Sequence, residues 1–241
     1  MGFSKALGRG ALACVLLALT ACTVRSISDS GYREPGYGRG NPAYRGELSE
    51  YEVLGVDPAR TYSDADIQKA MVERKPLSVK KGSGILLVQS GAEMADPEMI
   101  AALEKYYTVA SFSGVPQQGK SGSPYSELFR FAAAKGAYDT VIVYWGVLES
   151  AAQGLGGKAI SWLPVIGGVV PDENQQMRIR LMMAVIDTRT GQWESFLPEP
   201  FADEAMSNQH GRAASDQRQV MELKAKAYKA AAEAVALRYG R

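Results

Sequence analysis

The octapeptide Gly114-Val115-Pro116-Gln117-Gln118-Gly119-Lys120-Ser121 has the spacing of a phosphate-binding loop, G-x-x-x-x-G-K-S. Such a loop needs a helix that starts at the lysine, so that backbone N–H groups and the helix dipole face the anion. Here Gly122, Ser123 and Pro124 follow and would delay the helix. A second fragment, LMMAVID ending at Asp187, imitates the acidic strand that helps bind magnesium, but its aspartate opens a turn. Lys120 therefore reads as a solvated loop residue, and no nucleotide cofactor is expected. His210 is the only histidine and sits in a polar stretch, SNQHGRAAS. With one histidine and no free cysteine, the common zinc-ligand sets and histidine-based triads cannot be assembled, so no metal site is expected. There is no G-x-S-x-G elbow either. Glu93, Asp96, Glu149 and Asp187 fall near expected strand ends. Two of them together could run a carboxylate-based hydrolysis, but carboxylates at strand ends more often cap helices and turns.

The remaining chemistry is that of a thiol. Lys5 and Arg9 precede an apolar run, Gly10–Leu19. It is too short for a membrane-spanning helix, which needs roughly 20 apolar residues, and has the length and flanks of a secretory signal. The run ends in Leu19-Thr20-Ala21-Cys22, which resembles the lipobox of bacterial lipoproteins. The resemblance implies removal of a signal peptide, residues 1–21, and a diacylglycerol on the Cys22 thiol. Cys14 would leave with the signal, so the mature chain would hold one cysteine and no disulfide. An odd cysteine in an exported protein calls for an explanation, and lipidation supplies it. Two or three acyl chains also meet the requirement that stable anchoring takes more than one lipid. Thr23 stands where resemblance to inner-membrane-retained lipoproteins would require aspartate. The anchor is thus expected in the outer membrane, with the protein on its periplasmic face.

The net charge is +1 and there is no lysine–arginine block, so nothing points to nucleic acid. Residues 22–50 (SDSGYREPGYGRGNPAYRGE at their centre) lack any helical or strand period and read as a flexible tether, reaching about 25–30 Å. The folded domain is expected over residues 51–241. Ser63 and Asp66 form a capping box, with Ile67, Ala70 and Met71 as the helix's apolar face. Gly84–Ser90 is a buried strand. Asp96 with Pro97 starts a helix that buries Met99, Ile100 and Leu103. Tyr106–Ser113 is a second strand, and a helix from Ser123 closes at Gly136. Thr140–Leu148, apolar on both faces, is a central strand. Met177–Asp187 and Gln192–Leu197 form a hairpin around Gly191. A long alanine-rich helix from Asp216 to Tyr239 presents Val220, Leu223, Ala227, Ala231, Ala234 and Leu237 to the sheet. The order predicts an α/β fold, a single mixed sheet of about five strands with helices packed on it.

That order, with GILLVQSG, YYTVASFSG, YDTVIVYWGVLES and AVIDTRTGQWES, resembles the periplasmic domain shared by the curli secretion lipoprotein, cell-wall synthase activator lipoproteins and the Tol N-terminal domain. The resemblance implies a non-enzymatic envelope component that binds other envelope proteins or copies of itself. The other reading is an exported hydrolase, a peptidase or glycan-cleaving enzyme, whose carboxylates the sequence does not reveal. The excursion Ala151–Gln175 has too few alternating residues, broken by Pro164 and Gly167-Gly168, for the spanning hairpins of the curli channel. Its Trp162, Leu163, Val165 and Ile166 either fold back over the core or form an exposed apolar loop, in which case they are candidate docking residues for a partner or membrane.

Overall fold

The computed structural model describes residues 25–30, 41, 43–117, 125–153, 160–164, 174–206 and 212–240. Cys22, Lys120, Val165, Ile166 and His210 lie outside them, and for Trp162 and Leu163 the backbone alone is described. Two short helices, α1 (Glu50–Leu54) and α2 (Asp64–Glu73), precede β1 (Gly84–Gln89), α3 (Pro97–Leu103), β2 (Thr108–Phe112), α4 (Tyr125–Lys135) and β3 (Thr140–Gln153). Then come β4 (Ile160–Pro164), β5 (Asn174–Asp187), β6 (Trp193–Phe196), β7 (Phe201–Met206) and α5 (Arg212–Tyr239). The principal sheet runs β2-β1-β3-β5-β6. β1 is parallel to both β2 and β3, whereas β3–β5 and β5–β6 are antiparallel. This is the mixed five-strand sheet that the sequence implies, with two further strands joined to it.

Alternation along each strand divides the core. Ile85, Leu87, Ile142, Tyr144, Met183 and Val185 face α3 and α5, while Leu86, Val88, Val141, Val143 and Ile186 face α1 and α4. Burial on both faces explains why β1 and β3 read as unbroken apolar runs. On α5 the buried stripe is Val220, Leu223, Ala227, Tyr228, Ala231, Ala232, Val235 and Tyr239. Leu237, expected on that stripe, is 87% exposed. The stripe follows steps of three and four through Tyr228, Val235 and Tyr239, and Leu237 falls on the opposite side.

β3 and β5 are each 14 residues long and pair from Thr140↔Asp187 to Ser150↔Met177. Their length makes two tiers. On one edge of β3, β1 pairs as far as Tyr144 and β4 takes over at Glu149–Gln153. On the outer edge of β5, β6 pairs with Met183–Ile186 and β7 with Asn174–Ile179. The outer tier is therefore an antiparallel ribbon, β4-β3-β5-β7. This corrects the reading of Ala151–Gln175 as one excursion between neighbouring strands. Its ends extend β3 and β5, and its middle supplies β4, whose last residue, Pro164, lacks an N–H and is tolerated at a strand end.

Between β1 and β4 the same edge of β3 is taken by the N-terminal segment. Ser26 bridges Val147 in antiparallel sense, and the Leu148 N–H donates to the Arg25 carbonyl at 3.0 Å. Ile27, in a 3₁₀ turn over Ile27–Asp29, is fully buried among the residues under α5. A β-carbon on Gly146 would stand 2.7 Å from the Arg180 carbonyl oxygen and 3.4 Å from Ile27 Cγ2, so only glycine lets these backbones approach. Further along, Leu48 is buried and its N–H donates to Ser90 Oγ at 2.7 Å. Arg25–Ser30 and the stretch around Leu48 thus lie on the domain, although residues 22–50 read as a tether. One buried isoleucine contributes about 2 kcal/mol, and it has no sequence period to announce it.

The Ser63–Asp66 capping box forms as the sequence predicts, but the apolar face of α2 is not buried. Ile67, Met71 and Val72 are exposed, and the first two line a cleft of about 890 Å³ with Leu77 and Trp193. Gln192 ties the helix end to the β5–β6 turn, accepting from the Lys75 N–H at 2.9 Å and donating to the Glu73 carbonyl. Gln192→Ala should therefore speed amide exchange over residues 64–75 severalfold. Global stability should change by no more than about 1 kcal/mol, the worth of one or two exposed hydrogen bonds. Unchanged exchange in α2 would show that contacts other than Gln192 hold it.

Candidate docking surface and buried polar network

The outer tier carries two of the residues singled out for docking, Trp162 and Leu163. Within β4, Trp162 stands opposite Ala151 of β3, and Leu163 opposite Ser150. At its base an ion cluster crosses the β3–β5 ladder. Glu149 faces Arg178 directly, with the Arg178 Nε donating to the carboxylate at 2.5 Å and Arg180 reaching it at 3.0 Å. Arg180 is the diagonal neighbour, a separation that long side chains span. The Glu149 side chain is only 5% exposed, so the two guanidiniums compensate a carboxylate that burial would otherwise penalise. The opposite side of this tier is closed by α5, where Met177 and Ile179 pack with Val220 and Leu223.

A second polar cluster lies inside, where α3, α5, the sheet and the N-terminal segment meet. Asp96 holds the N-cap position of α3 but makes no side-chain cap bond. Its carboxylate instead accepts from Lys224 Nζ at 2.9 Å and from the Tyr228 hydroxyl at 2.6 Å. Its backbone N–H donates to Gln89 Oε1 at 2.7 Å, as does the Tyr144 hydroxyl at 2.5 Å. Gln89 Nε2 in turn donates to Ser28 Oγ at 3.1 Å, and the Ser28 hydroxyl donates to the Ser90 carbonyl at 2.5 Å. Asp96, Lys224, Gln89, Tyr144, Tyr228 and Ser28 are all buried. Burial pushes the Lys224 ammonium below the ordinary lysine range, and the adjacent Asp96 carboxylate offsets this only in part. The sequence marked Asp96 as a cap, yet its partners come from a helix more than a hundred residues later.

The carboxylates weighed for catalysis do not converge. Asp96 is held by α5, Glu149 by Arg178 and Arg180, and Glu93 is exposed. Asp187 folds over its own turn, accepting from the Arg189 and Thr190 N–H groups at 3.1 and 2.7 Å. Glu149 and Asp187 pair with residues nine positions apart on the ladder, about 30 Å. Paired glycosidase carboxylates stand about 5–9.5 Å apart. In the phosphate-loop lookalike, the first described residue of α4 is Tyr125, not Lys120. The Gly114 N–H donates to the Ala92 carbonyl, and that of Gln117 to the Tyr125 hydroxyl. A β-carbon on Gly114 would overlap the Gln89 carbonyl at 2.0 Å, so this glycine serves packing against β1. Among the described residues no cluster of three or more histidines, cysteines or carboxylates could hold a metal, and no helix is long and apolar enough to cross a membrane.

Solved structures with a similar arrangement are distant. The PelC dodecamer from Paraburkholderia phytofirmans is 10% identical, with 70% of this chain and 96% of that chain covered and a TM-score of 0.30. Lipoprotein GNA1162 from Neisseria meningitidis is 12% identical over 60% of this chain and 99% of that chain, with a TM-score of 0.28. No curated protein sequence matches the chain. Residues 49–238, which take in both tiers and the Asp96–Lys224 network, match the family described as YafT bacterial lipoprotein. The chain belongs to that family of bacterial lipoproteins.

Proposed function

We propose that the protein is anchored by lipid on Cys22 to the periplasmic face of the outer membrane and acts as a non-enzymatic binding or assembly component of the envelope. The observation that carries the binding role is the fate of the carboxylates. Asp96, Glu149 and Asp187 are each spent on internal ion pairs or turns, far from a shared cleft. The outer tier then stands as the surface for contact, with Trp162 and Leu163 on β4 and Val165 and Ile166 following it in sequence. Large apolar and aromatic side chains concentrate binding energy, which suits them to anchor an envelope protein or a further copy of the chain.

Cys22→Ser should abolish incorporation of an alkyne-tagged fatty acid, leave the signal uncleaved and release the protein from sedimenting outer membrane. Continued labelling of the Cys22→Ser chain would refute the anchor. For the binding role, crosslinking in intact cells from the outer tier should capture envelope proteins or a second copy. Turnover of a peptide or glycan by the purified protein would refute the non-enzymatic reading.

A further inference from the structure

We infer that acylation of Cys22 seats the outer tier, β4-β3-β5-β7, directly on the phospholipid surface, with the Asp187–Gly191 turn directed away from it. The inference rests on lipidation of Cys22 and adds which end of the domain faces the bilayer and how closely. Three peptide units separate Cys22 from Arg25, a span of at most about 11 Å. Arg25 is not free to extend this reach, because its carbonyl is bonded to Leu148 and the following residues are buried. The lipid attachment point is therefore confined to within about 11 Å of the middle of β3, not the 25–30 Å of a free tether.

The sense of the bridge fixes the direction. Arg25 and Ser26 run antiparallel to β3, so Arg25, opposite Leu148, is the end of this segment nearer to Glu149–Gln153. Gln153 lies five residues beyond Leu148, about 16 Å further toward that side. Thr140, beside the Asp187–Gly191 turn, is eight residues back, about 26 Å the other way. A bilayer within about 11 Å of Arg25 therefore lies nearer to the outer tier than to the Asp187–Gly191 turn. The tier's composition fits such a neighbour. Ala151–Gln153 and β4 (ISWLP) carry no charge, and tryptophan favours the membrane interface.

The mature chain has no cysteine besides Cys22, so single labels can be placed cleanly. Gln153→Cys and Thr190→Cys, each carrying a fluorophore, would be prepared as the full acylated protein in phosphatidylethanolamine–phosphatidylglycerol vesicles with nitroxide on the headgroups. The label at Gln153 should be quenched severalfold more strongly than that at Thr190. A long Gly-Ser spacer inserted between Val24 and Arg25 should bring the Gln153 label down to the Thr190 level. Equal quenching at the two sites, or no effect of the spacer, overturns the inference. Fatty-acid analysis of the same preparations separates the two failures. An acylated chain whose Gln153 label is unquenched defeats this inference alone, whereas a chain without acyl groups defeats the anchor and this inference together. Crosslinks between Gln153 labels of two copies, without lipid quenching, would assign the surface to self-association and overturn it.

Discussion

Asp96→Ala should lower the free energy of unfolding by about 3–5 kcal/mol, the cost of removing one partner of a buried ion pair. The substitution takes the carboxylate from the Lys224 ammonium and the Tyr228 hydroxyl, both of which are buried. Urea denaturation followed by circular dichroism would measure it. The double replacement Asp96→Leu with Lys224→Met should recover most of the loss, because two apolar side chains of similar volume need no partner. A loss below about 1 kcal/mol for Asp96→Ala would mean that water reaches the pair. The pH dependence has a definite sign. Lys224 holds its proton less tightly folded than unfolded. The unfolded chain thus binds more protons between its folded and ordinary pKa, and stability should rise with pH across that interval. Lys224→Met should flatten the rise. Above about pH 10 the trend reverses, since burial raises Tyr107 and Tyr239 and only the unfolded chain ionises them readily.

Ile27→Ala should cost about 2–4 kcal/mol, as expected for a large side chain removed from a closed core site. Ile27 is completely buried beneath α5 although it lies only five residues after Cys22. The same urea titration would settle the matter, with Val72→Ala at an exposed position as a control. If residues 25–30 were a solvated linker, the midpoint would not move. With lipid on Cys22 as proposed, the variant should also loosen the domain from the membrane.

Periodicity carried most of the fold. β1 and β3 are buried on both faces and read as continuous apolar runs, and the turn around Gly191 has the glycine that its φ of 73° requires. The outer tier was harder to read because its strands gain their place by pairing, not by pattern. β4 is five residues long, and its partner residues Glu149–Gln153 do not alternate. The N-terminal segment was hidden for another reason. Ser26, Ile27 and Ser28 have the composition of a linker, and only the gap on β3 between Tyr144 and Glu149 gives them a seat. α2 erred in the other direction, since a sound capping box and an apolar stripe promised a buried face that the structure leaves open beside Trp193. Asp96 shows the general limit. Its spacing before Pro97 spoke for a cap, while its true partner, Lys224, is 128 positions away.

That separation also governs the order of events in folding. For a chain synthesised from its N-terminus, β1, α3 and β3 exist long before α5, yet their shared face has no cover until Tyr228, Val235 and Tyr239 arrive. Asp96 meanwhile lacks two of its partners, because Lys224 and Tyr228 both belong to α5. Contacts between such remote positions carry a large loop-closure entropy and slow the final collapse. A domain closed in this way stays loosely packed on that face until α5 docks.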